Sequence, residues 1–142
     1  MSIVSWILST GERMGSKFIS KVFWPPCSSM TLVLEEDRLL VVRTEGYLML
    51  PGGIMEEGED FKDCAVRETR EETGLQVEII EEVESDVKDF GGVEKIFLAE
   101  KTGGELQGSW EGEPEYVEID EALEEKWRWD RDIGKILDKA NP

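Results

Sequence analysis

The sequence predicts an α/β domain in which a mixed β-sheet is covered by helices. Three observations support this fold class. First, short runs rich in Val and Leu precede residues 60–74. Second, residues 60–74 are rich in charged side chains and have the features of one helix. Third, further apolar runs and a terminal helical stretch follow this segment. Strands that flank a helix and are followed by more strands and another helix are typical of a sheet packed between helices.

The first 25 residues form an N-terminal extension whose structure the pattern leaves open. Within it, residues 17–24 fit either a short amphipathic helix or an added strand, and their apolar side chains are Phe18, Ile19, Val22 and Phe23. Pro25-Pro26 would end either element. A contact in a homodimer, or core packing, is favoured for this segment over a membrane surface.

Extended structure is predicted between residues 30 and 50. Residues 30–35 and 38–44 are both rich in Val and Leu, and the acidic turn Glu36-Asp37 joins them. Residues 47–50 form another short extended piece. It runs into Pro51-Gly52-Gly53, a predicted turn in which glycine tolerates backbone angles that other residues avoid.

One helix is predicted to begin near Asp60 and to end at Gly74. Aspartate is a preferred residue at a helix N-cap, and glycine is preferred just after the last turn. The semi-apolar side that would anchor this helix to the sheet consists of Phe61, Cys64, Ala65 and Thr69.

The remaining chain is predicted to complete the sheet and to end in a helix. The strands are expected at residues 76–84, 93–99 and 115–119. A helix should start after Asp120 or further on, near Asp130.

Composition restricts the chemistry that this chain can perform. Its 142 residues are expected to form a single domain, 1–142. The sequence contains no histidine, which excludes Ser-His-Asp and Cys-His mechanisms and histidine-ligated metals. Acid–base chemistry must therefore depend on carboxylates, Lys, Tyr or metal-bound water.

The net charge of −17 restricts the partners. It disfavours binding of duplex nucleic acid through a general basic surface. It also means that a phosphate-bearing substrate would be repelled unless divalent cations bridge it to the protein. No apolar run approaches the roughly 20 residues of a membrane helix, so a soluble cytoplasmic protein without membrane contact is expected.

Three glutamates crowd one side of the predicted helix. Glu68, Glu71 and Glu72 stand at positions i, i+3 and i+4, where like charges destabilise a bare helix by about 0.2–0.5 kcal/mol per pair. A helix that holds Mg²⁺ or Mn²⁺ benefits from this arrangement, because hard cations take oxygen ligands. A solvated acidic face is the alternative for three glutamates in so acidic a chain.

The full spacing around these glutamates favours the metal-binding interpretation. Gly53 is followed by five residues and Glu59, then by seven residues and Arg67-Glu68, and finally by Glu71-Glu72 and Gly74-Leu75. This segment resembles the signature of the Nudix (MutT-type) hydrolase superfamily at every charged and glycine position. Thr69 departs from the pattern, because the family usually has a larger aliphatic residue there. Slightly looser helix packing is expected as a result.

The resemblance implies an α/β/α sandwich with a metal-binding loop–helix–loop segment, and it implies roles for individual residues. Glu68, Glu71 and Glu72 would bind Mg²⁺ or Mn²⁺, and the Gly53 carbonyl is a further candidate ligand. Glu59 and Arg67 would form the ion pair that holds the loop against the helix. Another carboxylate is often recruited from a later loop, and the candidates here are Glu111, Glu113 and Glu115. Of these, Glu113 or Glu115 is favoured, because both lie just before or within a predicted strand.

The resemblance also implies hydrolysis of a nucleoside diphosphate linked to another group. Glu68 or Glu71 would accept the proton from the attacking water. Arg43 is the favoured phosphate contact, ahead of Arg38, Lys62 and Lys95. The aromatic side chains available to stack on a base are Tyr47, Phe90, Trp24 and Trp110.

The expected substrate is a small nucleotide such as a nucleoside triphosphate. ADP-ribose-selective family members carry a proline about 15 residues after the metal-binding segment, and residues 76–113 contain none. Two other functions compete with hydrolysis. One is a Nudix-like module that binds a nucleotide or a protein without turnover, and the other is an acidic calcium- or protein-binding domain.

Overall fold

The computed structural model describes residues 25–140, which contain seven β-strands, three α-helices and one 3₁₀ turn. The expectations for residues 17–24 lie outside the described part of the chain. The strands are β1 Ser28–Glu35, β2 Arg38–Thr44, β3 Tyr47–Met49, β4 Gly52–Ile54, β5 Leu75–Val87, β6 Val93–Gly104 and β7 Glu113–Glu118. The helices are α1 Phe61–Thr73, α2 Ile119–Glu124 and α3 Ile133–Ala140, and the 3₁₀ turn is Arg128–Asp130.

The seven strands form one mixed sheet, as the sequence predicts. Its main order is β3-β2-β1-β6-β5, with β4 paired to β1 and β7 paired to β2. β1 and β6 run parallel, with Ser28 opposite Glu94, whereas the other pairs are antiparallel. The first half of β1 therefore lies between β4 and β6, a position that matters for the site described below.

Helices cover both faces of the sheet because β1 and β2 are apolar on both faces. Successive side chains of a strand point to opposite sides. Leu32 and Leu39 accordingly pack in one buried cluster with residues of α2 and α3. Their neighbours Val33 and Leu40 pack in a second cluster that Val66 of α1 also contacts. The α/β sandwich expected from the sequence is confirmed.

The predicted ends of helix α1 are confirmed. The Asp60 side chain accepts a hydrogen bond from the backbone N–H of Asp63, and the Asp63 side chain accepts one from the backbone N–H of Asp60. This reciprocal pair satisfies amide groups that a helix start leaves open. Gly74 adopts the left-handed conformation at φ +80°, and its N–H donates to the Arg70 carbonyl at 2.9 Å.

The structure differs from the predicted elements mainly in their lengths. Gly52 and Gly53, expected in a turn, belong instead to the short strand β4 against β1. β5 and β6 extend beyond the predicted ranges as a long hairpin whose register shifts at several points, so its apolar alternation is irregular. A late helix was predicted to start after Asp120 or near Asp130, and the structure has a helix in each region, α2 and α3. No helix within residues 25–140 has the length and apolarity needed to cross a bilayer.

Thr69, the residue that departs from the family pattern, is fully buried against the sheet. Its hydroxyl lies 2.7 Å from the Thr31 hydroxyl and also donates to the Ala65 carbonyl at 2.7 Å. A paired hydroxyl on the strand thus replaces the apolar contact that a larger side chain would make. The expected loosening is therefore offset by a hydrogen bond between α1 and β1.

We expect Thr69→Val to lower the free energy of unfolding by about 1–3 kcal/mol, because it leaves the buried Thr31 hydroxyl without this partner. The double variant Thr31→Val/Thr69→Val should recover most of the loss, since replacing both hydrogen-bonding groups by apolar ones of similar shape is nearly neutral. Urea denaturation of four proteins, wild type, Thr31→Val, Thr69→Val and the double variant, measures both effects. A double variant as unstable as the sum of the two single variants would contradict this account.

Candidate metal centre and substrate cavity

Carboxylates from two distant parts of the chain converge beside β4. Glu68 and Glu72 stand one helical turn apart on α1, so both point from the same face. Glu111 joins them from the loop before β7, and one ligand oxygen from each of the three residues lies within 4.8 Å of the others. We call Glu68, Glu72 and Glu111 the carboxylate cluster.

The backbone of β4 holds two of these side chains in place. The Gly52 N–H donates to Glu72 Oε2 at 2.8 Å. Glu68 packs so closely on Gly53 that a Cβ built there would lie 2.5 Å from the Glu68 carboxyl carbon, so a larger residue would displace this side chain. The Gly53 carbonyl, a candidate ligand from the sequence, accepts a hydrogen bond from the buried Cys64 thiol at 3.5 Å.

Arg67 organises the acidic side of α1. Its Nε lies 2.5 Å from Glu59 Oε2. This contact is the Glu59–Arg67 ion pair that the resemblance implied. Its Nη1 contacts Glu68 at 2.8 Å and Glu71 at 3.0 Å, and its Nη2 donates to the Ile54 carbonyl at 3.1 Å. Glu71 is consequently drawn toward Arg67 and remains about half exposed, apart from the carboxylate cluster.

Burial perturbs the acidity of the cluster. Desolvation raises the pKa of Glu68 to about 7, although the attraction of Arg67 opposes this. Burial, and then the adjacent Glu111 carboxyl, raise the pKa of Glu72 well above its usual range. Oxygen donors that repel one another in this way fit a hard divalent cation such as Mg²⁺ or Mn²⁺, which neutralises the repulsion.

We expect the metal-free protein to lose stability as pH rises from about 5 to 8. The folded-state pKa of Glu68, about 7, lies above its ordinary value of 4.5. Its stabilising contribution is therefore complete below the unfolded-state pKa and is lost as pH rises through the folded-state value. The size of this contribution is on the order of 2–3 kcal/mol. Urea denaturation in EDTA across this pH range measures it.

Two comparisons test the origin of this pH dependence. Glu68→Gln should flatten the slope, and an unchanged slope in that variant would contradict the assignment to Glu68. Saturating Mg²⁺ should raise Tm more at pH 8 than at pH 5, because a cation binds the deprotonated carboxylates and its binding releases protons.

The structure brings Glu111, rather than Glu113 or Glu115, to the cluster. Glu115 lies within β7 and forms an ion pair with Arg43 of the neighbouring strand at 3.0 Å. Glu113 lies at the start of β7, and its carboxylate packs against Gly108. Glu111 instead lies in the tight loop closed by two backbone hydrogen bonds between Ser109 and Gly112, which turns it toward α1.

We expect Glu111→Gln to weaken Mn²⁺ binding by about 10-fold or more, because it removes one charge from the cluster. Glu115→Gln is the matched control, since it changes the same residue type four positions along and should leave the affinity within about 2-fold. Isothermal titration calorimetry with Mn²⁺ measures both values. Equal losses in the two variants would count against the role given to Glu111.

An open cavity of about 730 Å³ adjoins the cluster. It extends from Glu68, Glu72 and Glu111 across β1 toward the β5–β6 hairpin and α3. Phe90 and Trp110, two of the aromatic residues considered from the sequence, line it. Sequence reasoning missed other residues of its lining, which include Ser28, Lys88, Glu94, Arg128, Trp129, Arg131 and Lys135.

The other residues considered for substrate contact lie elsewhere. Arg43 pairs with Glu115 and Glu125, and Tyr47 lines a separate cavity of about 460 Å³. Arg38 lies over the Tyr116 ring, and Lys95 pairs with Glu82 at 2.6 Å. Trp24 is outside the described residues.

The sequence Trp127 to Arg131, WRWDR, is the signal that could have revealed the missed wall, because it alternates aromatic and basic side chains.

The fold and site together define an α/β sandwich in which two glutamates of a helix and one glutamate of a later loop converge beside a glycine-containing strand. A family model described as the NUDIX domain matches residues 25–138. The chain therefore belongs to the Nudix family, and the resemblance identified from residues 53–75 is confirmed.

Individual relatives agree with this assignment. The chain is 38% identical over 86 residues to 8-oxo-dGDP phosphatase NUDT18 of Danio rerio, covering 61% of this chain and 24% of that protein. It is 31% identical over 103 residues to NAD-capped RNA hydrolase NudC of Photobacterium profundum, covering 69% and 36%. It thus spans between a quarter and about a third of these curated relatives.

A solved structure shares the fold. A NUDIX hydrolase from Nitrosomonas europaea superposes with a TM-score of 0.70 at 16% identity, covering 81% of this chain and 87% of that one. At this identity the likeness concerns the fold alone.

Proposed function

We propose that this chain is a divalent-cation-dependent pyrophosphohydrolase that cleaves the pyrophosphate linkage of a nucleoside diphosphate joined to another group. The observation that carries this proposal is the convergence of Glu68, Glu72 and Glu111 at one end of a cavity of about 730 Å³. A cavity of that size suits a nucleotide-sized ligand. The two curated relatives act, by their names, on an 8-oxo-dGDP and on NAD-capped RNA.

The chemistry requires that negative charge be neutralised before water can attack phosphorus. A divalent cation held by Glu68, Glu72 and Glu111 would supply that neutralisation and make a water molecule more acidic. The chain's own contribution is to hold the carboxylates in position, through the Gly52 N–H on Glu72 and the Arg67 guanidinium on Glu68.

Glu68 and Glu71 are the two candidates for accepting the proton from the attacking water. Glu68 is largely buried within the cluster, whereas Glu71 is about half exposed and lies on Arg67. Comparing kcat and Mn²⁺ affinity in Glu68→Gln and Glu71→Gln separates the two roles. Replacing a glutamate that binds the metal should lower both kcat and Mn²⁺ affinity. Replacing a proton acceptor that does not bind the metal should lower kcat alone.

We further propose a small nucleotide, such as a nucleoside triphosphate, as the substrate. The phosphates would occupy the end of the cavity at the carboxylate cluster. Trp110 precedes Glu111 in the chain and lines the cavity, so it is placed to stack on part of the ligand.

The test is a panel of nucleoside triphosphates, nucleoside diphosphates and dinucleotides incubated with Mg²⁺, with products identified by mass. Turnover that disappears in EDTA supports the proposal. Nucleotide binding without turnover would instead indicate a sensing module. Absence of both metal and nucleotide binding would leave only an acidic interaction domain.

A further inference from the structure

The wall of the cavity opposite the carboxylate cluster is built differently from the cluster. In the sheet, Ser28 of β1 lies between Ile54 of β4 and Glu94 of β6. Glu94 is thus two strand spacings, roughly 10 Å, from the strand that carries Gly53. A nucleotide whose phosphates lie at the cluster can reach this wall with its base.

Ser28 carries a hydroxyl that the fold leaves unsatisfied. The residue is 2% exposed and lines the cavity, and its Oγ has no hydrogen-bond partner among residues 25–140. Its neighbour Ser29 points to the opposite face, where its hydroxyl donates to the Phe61 carbonyl of α1. Buried polar groups are nearly always paired, so the lone Ser28 hydroxyl indicates a partner that residues 25–140 do not supply.

Glu94 places a carboxylate beside this hydroxyl. Its side chain is 7% exposed, and one oxygen accepts a hydrogen bond from Arg131 Nη1 at 2.9 Å. The second oxygen lies 3.8 Å from Lys88 Nζ, too far for a good hydrogen bond, and so retains accepting capacity. A buried ion pair contributes little net stability, so stability alone does not account for this carboxylate.

The segment that delivers Arg131 is strained. Trp129 and Asp130, neither of them glycine, have φ angles of +61° and +51°. Such residues cost about 1–3 kcal/mol each and are concentrated at ligand-binding sites. Trp129 lines the cavity and is 46% exposed, and the Arg128 guanidinium lies 5.4 Å from the centre of its ring. A ligand would therefore stack on the ring face away from Arg128.

The charges of this wall do not suit phosphate. Outside the cluster, the lining residues carry five acidic and four basic side chains, Glu45, Glu84, Asp86, Glu94 and Asp132 against Lys88, Arg128, Arg131 and Lys135. Lys88 and Arg131 are moreover paired with Asp86 and Glu94. An acceptor-only carboxylate next to a hydroxyl instead selects a group that presents hydrogen-bond donors.

We propose that Glu94 and Ser28 form the base-reading subsite of this protein, and that they recognise a guanine-type base through its ring N–H and exocyclic amino group. Arg131 acts through Glu94 as a positioning residue, and Trp129 provides the stacking surface. This inference rests on the proposed function, because it assumes that a nucleotide occupies the cavity with its phosphates at the carboxylate cluster.

Nucleoside monophosphates test the subsite without requiring turnover, because they contain no anhydride bond. GMP and IMP differ only by the exocyclic amino group, and calorimetric titration with each in Mg²⁺ gives their affinities. We expect wild type to bind GMP about 10-fold or more tightly than IMP, since a hydrogen bond to a charged partner has about that effect. Glu94→Gln should bring the two affinities within about 3-fold of each other, and Ser28→Ala should weaken GMP binding several-fold.

The controls separate this inference from the proposed function. Glu82→Gln changes an exposed glutamate paired with Lys95 on the same hairpin and should leave the GMP preference intact. A Tm measurement shows whether Glu94→Gln alters folding. If it does, Ser28→Ala, which removes a single hydroxyl group, still tests the subsite. Wild type that binds neither monophosphate, shows no preference for GMP, or keeps its preference in Glu94→Gln would overturn the inference. Failure of the proposed function appears instead as missing turnover in the nucleotide panel.

Discussion

Glu72→Gln is expected to lower cation-dependent turnover of a nucleotide substrate by at least about 100-fold, since changes to mere outer-shell partners of a metal already cost 10–100-fold. Glu72 is 5% exposed and contributes one of the three converging oxygens. Glutamine preserves the side-chain shape and can still accept the Gly52 hydrogen bond. It removes the negative charge that a divalent cation requires. Steady-state kinetics with Mg²⁺ or Mn²⁺ measure the loss.

Stability distinguishes this effect from unfolding. Because the pKa of Glu72 is raised by burial and by Glu111, neutralising it should leave the metal-free protein at least as stable as wild type at pH 8. Glu72→Gln should therefore lose activity while its Tm in EDTA stays the same or rises. Near-wild-type turnover in a folded Glu72→Gln protein would rule out the assigned site.

Arg67→Met is expected to lower the free energy of unfolding by about 3–5 kcal/mol, because it leaves largely buried carboxylates without their partner. Arg67 is 16% exposed at its side chain and contacts Glu59 and Glu68, whose side chains are each 15% exposed. The corresponding decrease in Tm is about 10 °C or more for a domain of this size. Mg²⁺ should recover part of the loss, since a cation compensates the charge on Glu68.

A neighbouring arginine provides the control for Arg67. Arg70 lies three positions along the same helix and is exposed, so Arg70→Met should change stability by about 0.5 kcal/mol or less. A double-mutant cycle with Glu59→Gln isolates the Arg67–Glu59 pair. Equal destabilisation by Arg67→Met and Arg70→Met would show that the network around Arg67 has no special role.

The elements that local chemistry determines were predictable from the sequence. Asp60 and Gly74 bound α1 because their side-chain and backbone preferences act within a few residues. The Glu59–Arg67 contact was expected from the resemblance to the Nudix signature. The mixed sheet was evident from apolar runs that are buried on both faces, as in β1 and β2.

Features that depend on distant segments were not predictable in this way. The register of β2 against β7 places Arg43 opposite Glu113 and lets its side chain form an ion pair with Glu115. This contact removes Arg43 and Glu115 from the site expected of them, and no local pattern encodes it. Thr31 and Thr69 are 38 positions apart, so only the packed structure reveals that their hydroxyls meet.

The sequence alone therefore identified the family and the capped helix, and it placed Glu68, Glu71 and Glu72 on one side of that helix, because spacing along a helix fixes which side chains share a face. Only the tertiary structure showed that Glu71 contacts Arg67 instead of joining the carboxylate cluster. The tertiary structure decided that Glu111 completes the cluster and that Ser28, Glu94 and Arg131 form the opposite wall. Those residues come from separate strands and loops. Their proximity is set by sheet register and loop closure, which depend on the packing of the whole domain.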